Sequence, residues 1–264
     1  LGKYGDGILL LNYTNAADKN AEISYLAPDG TLSKNVFVAE NEASALSVSA
    51  NSLYHYGTQY FITSATGPNY LTVVNDQTLK QEYTVTQSAI SGITYFATTD
   101  GKTGYVNITN RRKPGLYPVD LAGRSISGTI VPGSDALTLL PFNMVNQKLL
   151  MPAGKQLIQL TDDKTVPVKI CQDNVSGVAT INGNIWVGVQ SGANAAKFVR
   201  YDANLNALDS VSLGATFKLP ANGILTFSGK DEFIYWQETS RGVTCRFNTL
   251  TKVAEEFVDH ASAG

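Results

Sequence analysis

The chain is poor in the residues that build metal, redox and acid–base sites. It has two cysteines and two histidines in 264 residues. Cys171 and Cys245 make no disulfide framework and no CxxC pair for zinc or redox chemistry, and they leave the compartment open. No apolar run is long enough to span a bilayer, and no signal peptide is visible. The opening "LGKYGDGILLLNYTN" reads as a mature or trimmed start, so a removed signal stays open. Charged residues are only 16% of the chain and the formal net charge is -2. That excludes the basic field that nucleic acid or an anionic membrane surface would require. Helix-friendly sequence is also scarce. "ENEASALSVSA" is interrupted by serines, and "TKVAEEFVDHASAG" falls where an outer strand is expected.

What is abundant is Thr, Ser, Asn, Gly and Tyr, in a chain that is 43% hydrophobic. β-Branched and aromatic residues fit a pleated surface better than a helix. The sequence repeats a strand–turn–strand: "AEISYLAPDGTLSKNVF", "YLTVVNDQTLKQEYTV", "GLYPVDLAGRSISGTI", "QLIQLTDDKTVPVKI", "KFVRYDANLNALDSV" and "GVTCRFNTLTKVAEEFV". The equivalent turn positions are Ala27, Asn75, Asp120, Thr161, Asp202 and Asn248, spaced by 48, 45, 41, 41 and 46 residues. Asp, Asn and Thr suit this position because their side chains bond the turn's own backbone. Two apolar runs joined by a short turn precede most copies, as in "SGVATINGNIWVGVQ" and "GITYFATTDGKTGYVNIT".

A period in the forties with only strand signals predicts an all-β fold, a β-propeller of four-stranded antiparallel blades. Inner strands are nearly all apolar because neighbouring blades cover both faces. A β-sandwich is the alternative, but its strands alternate without a repeated unit of this length. We expect a single domain over 1–264, with units at about 7–40, 44–87, 91–132, 135–171, 176–214 and 222–259. The first unit begins at "GILLLNYT", which matches the second strand of later units. Six blade units are visible. Either the tail "HASAG" supplies the missing inner strand, or the chain is a seven-bladed ring lacking its last blade, the expectation we favour.

"GILLLNYTNAADKNAEISYLAPDGTLSKNVF" resembles the opening blade of the surface-layer-type, YVTN-like β-propellers, cell-surface lipoproteins of Bacteroidetes. "NYLTVVNDQTLKQ", "FVRYDANLNALDSV" and "TCRFNTLTKVAEEF" are similar to that family's repeated strand–turn–strand. The resemblance spans nearly the whole chain through loose patterns. It implies export, anchoring at the outer membrane through a lipidated N-terminus absent from this chain, and ligand holding at the surface. Some relatives serve nutrient uptake beside outer-membrane transporters, so a transporter component is an implied partner. The chain departs from a seven-bladed member in lacking the final blade, and no catalytic residues carry over.

The residues themselves point to binding rather than catalysis. His55, between tyrosines, reads as a polar residue at a strand end, and His260 as part of a frayed terminus. No Gly-x-Ser-x-Gly elbow is present. Acidic residues are scattered in turns, and Asp162 and Asp163 fall in an outer hairpin, so neither a metal site nor another cofactor is expected. Asn12, Asn107 and Asn174 open Asn-x-Ser/Thr triplets that chance accounts for in such a composition. Trp186 and Trp236 hold matching positions and read as packing between blades. Cys171 and Cys245, two blades apart, are expected to be free thiols.

Function in such a scaffold sits on its loops. Those between the second and third strands are "NAADKN", "ATGPNY", "NRRKPG", "AGK", "SGANAA" and "TSRG". Arg111, Arg112 and Lys113 form a cluster that reads either as solvated charge or as a basic lip for phosphate, carboxylate or a glycan acid. Arg241 occupies the equivalent loop three blades on, expected across the ring. Tyr70 and Phe217 add aromatic faces. The candidate ligand-binding residues are therefore Arg111, Arg112, Arg241, Tyr70 and Phe217, all expected on one rim. The opposite rim, with its tight "DGK" and "NGN" turns, is expected to be too short-looped for a pocket. The leading reading is a non-enzymatic surface protein that captures a small molecule or glycan. A propeller scaffold for protein partners is the alternative, and a hydrolase or lactonase-like enzyme the third.

Overall fold

The computed structural model describes residues 2–13, 20–108, 113–135, 137, 141–161, 164–171, 173–190, 195–220, 224–227, 231–238 and 240–259. The chain forms two compact units, Leu1–Leu137 and Thr138–Gly264.

The first unit holds three sheets. The first runs β1 (Ile8–Asn12), β2 (Glu22–Leu26), β3 (Leu32–Ser33), and is followed by the helix α1 (Val36–Glu40). The second runs β4 (Ala50–Tyr56), β5 (Gln59–Ser64), β6 (Leu71–Asn75), β7 (Gln81–Val85). Then β8 (Gln87–Ser88) leads into β9 (Ile93–Thr98), β10 (Thr103–Ile108), β11 (Gly115–Asp120) and β12 (Ser125–Ile126), with β8 added in parallel beside β12.

The second unit holds three four-stranded sheets in chain order. They are β13 (Asn143–Val145), β14 (Lys148–Ala153), β15 (Gln156–Thr161) and β16 (Lys164–Ile170); β17 (Asn174–Ile181), β18 (Asn184–Gln190), β19 (Lys197–Tyr201) and β20 (Ala207–Ser212); and β21 (Thr226–Phe227), β22 (Phe233–Glu238), β23 (Val243–Asn248) and β24 (Val253–Asp259). The fold is all-β, a six-bladed propeller of antiparallel up-and-down sheets with one five-residue helix among the described residues.

Successive side chains of a strand point to opposite faces, and here both faces of the inner strands find apolar partners. In β5, Phe61 packs with Phe96 and Val106 of the third sheet, while its neighbour Ile62 packs with Ile23 and Tyr25 of the first. Phe61 and Phe96 stack with centroids 4.6 Å apart. β18 repeats the device: Ile185 and Val187 face the fourth sheet, and Trp186 faces Ile234 and Phe247 of the sixth. Trp186 and Trp236 are both buried in that last cluster, as their matching positions predicted. Outer strands such as β24 are mostly exposed and carry the charge. Close packing also fixes Gly104: a Cβ there would lie 2.3 Å from the Phe96 ring.

The turn from third to fourth strand behaves as its chemistry predicted. Asn75 Oδ1 accepts the N–H groups of Gln77 and Thr78, Asp120 Oδ1 that of Gly123, and Asn248 Oδ1 those of Leu250 and Thr251. The chain leaves these three turns through a left-handed residue four positions on, at Leu79, Arg124 and Lys252. On the inner hairpins Asn182 and Gly183 both take positive φ, 50° and 72°, the mirror-image turn that matches strand twist.

The structure departs from expectation at "NVF", read as part of an outer strand. β3 stops at Ser33, Asn35 takes a left-handed φ of 54°, and Val36 and Phe37 enter α1 and are buried. Burial of those two side chains against the first and second sheets overrides their β preference. Both cysteines are free, Cys171 half-buried and Cys245 buried.

Candidate functional site

Three segments of the first unit meet around a cavity of about 400 Å³. The first is the loop from β5 to β6, which delivers Tyr70. Its backbone is held at both ends: Tyr70 N–H donates to the Val85 carbonyl at 3.0 Å, and its carbonyl accepts from Ser64 N–H at 2.9 Å. The ring lies against Gly67, where a Cβ would come within 3.1 Å of it. Among the described residues the Tyr70 hydroxyl takes no hydrogen bond.

The second wall is the connection from β7 to β9. Ser88 Oγ donates to the Ile90 carbonyl at 2.7 Å, and Gly92 N–H donates to the Ala65 carbonyl at 2.8 Å. The first bond folds the connection on itself, and the second ties it to the Tyr70 loop. The third wall is Ile108, at the end of β10, and Lys113. The Tyr117 hydroxyl donates to the Lys113 carbonyl at 3.1 Å, which fixes the backbone while the Lys113 side chain stays exposed. An aromatic face, two isoleucines and one ammonium thus share a cleft whose described lining holds no carboxylate. Arg111 and Arg112, the candidate basic lip, lie outside the described residues.

Arg241 and Phe217 come together in the second unit. The Arg241 guanidinium sits 5.9 Å from the Phe217 centroid. Its Nε and Nη2 donate to the two oxygens of Glu238, each at 2.9 Å, and Nη1 donates to Glu256. Glu238 is buried and also accepts the Lys218 N–H at 3.1 Å. Burial pushes the Glu238 carboxyl up, but the Arg241 and Lys218 donors outweigh it and hold the group below its ordinary value. Glu238 and Glu256 raise Arg241 in turn. A planar fork engaged on two carboxylates braces the sixth blade and the segment that carries Phe217. Sequence spacing did not show this pairing. The strand register could have, because Glu256 lies opposite Cys245, next to the turn that holds Arg241.

His55 is exposed at the end of β4, with Nε2 3.1 Å from Asp76 Oδ2. Among the described residues, no three His, Cys, Asp or Glu side chains gather as a metal site, and no helix is long and apolar enough to cross a membrane. The expectation that the tight-turn rim is too short-looped for a pocket fails. Between the fourth and fifth sheets, beside the β13–β14 turn and the turn after β19, lies a cavity of about 470 Å³. Its walls are strand ends and the fifth-sheet turn, so no long loop is needed.

Among curated proteins, comparison of the sequence finds no match. Many solved structures match, among them three at low identity. A Bacteroides uniformis protein provisionally assigned as a 6-phosphogluconolactonase matches with TM-score 0.63 at 12% identity, over 97% of this chain and 82% of that one. TolB from Acinetobacter baumannii matches with TM-score 0.61 at 13% identity, over 96% of this chain and 63% of that one. The extracellular domain of a B. thetaiotaomicron protein provisionally assigned as a one-component system matches with TM-score 0.59 at 12% identity, over 99% and 34%. At such identity the likeness speaks to fold alone. The sequence match is more specific and covers residues 6–260: the chain belongs to the family described as "Domain of unknown function (DUF5074)".

Proposed function

We propose that this chain is a non-enzymatic binding protein that captures a small anionic ligand, with an acidic sugar as the best fit, in the cleft of the first unit. The observation that carries the reading is the meeting of Tyr70, Ile90, Ile108 and Lys113 around one cavity. A tyrosine ring offers a face for a sugar or other apolar surface, and an ammonium selects for negative charge. A cleft of this size lies within the range used for small ligands, about 300–1,000 Å³. Binding is favoured over hydrolysis because neither serine of the described lining, Ser88 or Ser91, shares that lining with a histidine or carboxylate, and Ser88 is engaged with the Ile90 backbone. Export, a lipid anchor and a transporter partner belong to the same reading. Export draws support from the resemblance to surface-layer propellers and from the extracellular-domain neighbour, whereas the anchor and the transporter partner rest on the resemblance.

Calorimetric titration with glucuronate, N-acetylneuraminate and glucose 6-phosphate, against neutral glucose, tests this. At least one anion is expected to bind. Lys113→Ala should weaken it about tenfold, the worth of one charge-assisted hydrogen bond. The double change Arg111→Ala, Arg112→Ala should weaken it further if those guanidiniums form a basic lip, and added salt should do the same. No binding by any anion, or equal binding of glucose with no effect of Lys113→Ala, overturns the proposal.

A second reading, a scaffold for a protein partner, rests on the outer strand of the sixth blade. There Val253 and Phe257 are 55% and 49% exposed. Phe257→Asp would abolish such a contact while leaving ligand titrations unchanged.

A further inference from the structure

We propose that the cavity between the fourth and fifth blades is a second binding site, for a small aliphatic carboxylate. At about 470 Å³ it is larger than the cleft beside Tyr70, and its chemistry is different. The floor is aliphatic: Val145, Leu150 and Ile185, which are 5%, 2% and 1% exposed, come from three different strands. The mouth is polar and carries Lys148, Gln159 and Asn204. No aromatic side chain stands in its described lining, so a sugar ring would find no stacking face there. Its described lining holds no carboxylate either. Asp202, the nearest described acid in the chain to Asn204, is turned into its own loop. Its Oδ1 accepts the N–H groups of Asn204 and Asn206, each at 2.9 Å, and its Oδ2 accepts Asn206 Nδ2 at 2.9 Å.

The walls are held before any ligand arrives. Gln159 Nε2 donates to Thr161 Oγ1 at 2.6 Å, which fixes the amide at the mouth. The turn that presents Asn204 is closed by Leu205 N–H on the Asp202 carbonyl at 3.1 Å and by Asp202 N–H on the Asn206 carbonyl at 3.0 Å. An apolar floor below one ammonium and three amides, those of Asn146, Gln159 and Asn204, suits a molecule with an alkyl body and one anionic head. The alkyl chain covers the floor, and the carboxylate meets Lys148 and the amide N–H groups. This assignment stands apart from the cleft that holds Tyr70, because it names another cavity and another ligand chemistry.

The test is calorimetric titration of the whole chain with hexanoate, heptanoate and octanoate, with octylamine as the cationic counterpart. Affinity is expected to rise about fourfold for each added methylene that reaches the floor. Octylamine is expected to bind at least about tenfold more weakly than octanoate. Lys148→Ala should weaken octanoate about tenfold and Lys148→Arg should restore most of that loss, whereas Lys34→Ala in the first unit should change nothing. Absence of binding, an affinity independent of chain length, equal binding of octylamine, or no effect of Lys148→Ala each overturns the proposal. Acidic sugars are titrated separately, so failure here leaves the reading of the first cleft where it stands, and the reverse.

Discussion

A single side-chain oxygen closes four of the outer turns that mark the repeat, at Asn75, Asp120, Asp202 and Asn248. Asn248 Oδ1 accepts two backbone N–H groups, from Leu250 and Thr251, each at 2.9 Å. Without it both donors turn to water and the turn loses its preference for the left-handed exit at Lys252. Asn248→Ala should cost about 1 kcal/mol, and Asn248→Asp, which keeps the oxygen, should cost much less. Denaturant midpoints of the two variants check this. Four of the six turn positions were legible because Asn and Asp announce the mechanism that the structure uses. The other two offer less. Ala27 has no side-chain acceptor; its carbonyl accepts Gly30 N–H at 2.9 Å and Asp29 Oδ1 accepts Thr31 N–H at 2.8 Å, while the turn that follows Thr161 lies outside the described residues. They were found by spacing, not by chemistry. Arg241 shows the opposite limit. An arginine in an exposed loop reads the same whether it waits for a ligand or already holds two carboxylates, and only strand pairing distinguishes the cases.

At the scale of elements, the blade is stabilised on both faces, so inner strands such as β14 and β18 carry apolar residues at consecutive positions rather than only at alternate ones. That pattern made strand order readable. It could not reveal α1, because Val36 and Phe37 are as apolar in a helix as in a strand, and what separates the two is the left-handed turn at Asn35. β8, two residues joined in parallel to β12, is too short to carry any periodicity. In the sixth blade, the ion pair of Glu238 and Arg241 links the end of β22 to the turn into β23, and Glu256 extends it to β24.

Because the folded-state value of Glu238 is lowered, its contribution is fully present above the ordinary value of 4.5 and is lost as pH falls through the lowered one. The acid limb of the stability curve should therefore be flatter in Glu238→Gln than in the parent. Arg241→Ala, which leaves a buried carboxylate unpaired, should cost about 2 kcal/mol at neutral pH, below the range for fully buried pairs because Arg241 reaches solvent. Thermal denaturation followed between pH 3 and 7, ~4 units of range, separates the two effects. If the two curves run parallel down to acid, the ion pair does not set the stability of this blade.

For the molecule as a whole, the propeller class was legible and the sites were legible only in part. Loop positions follow from strand order, so Tyr70 was placed on a loop beside the basic cluster, and the structure sets it with Lys113 around one cavity. The cavity between the fourth and fifth blades was not foreseen, since no loop length or motif marks a gap between two strand ends and a turn. The DUF5074 family, matched over residues 6–260, comes with no ligand, so the ligand has to be read from the cavities themselves. The central claim is that the cleft of the first unit holds an anionic ligand between an aromatic face and an ammonium. The most direct measurement is a crystal structure of the chain soaked with the tightest-binding acidic sugar of the titration panel. The account predicts density with the sugar ring against Tyr70 and its carboxylate within about 3 Å of Lys113 Nζ. Density for the sugar elsewhere, with the Tyr70 cleft holding only water, would contradict it.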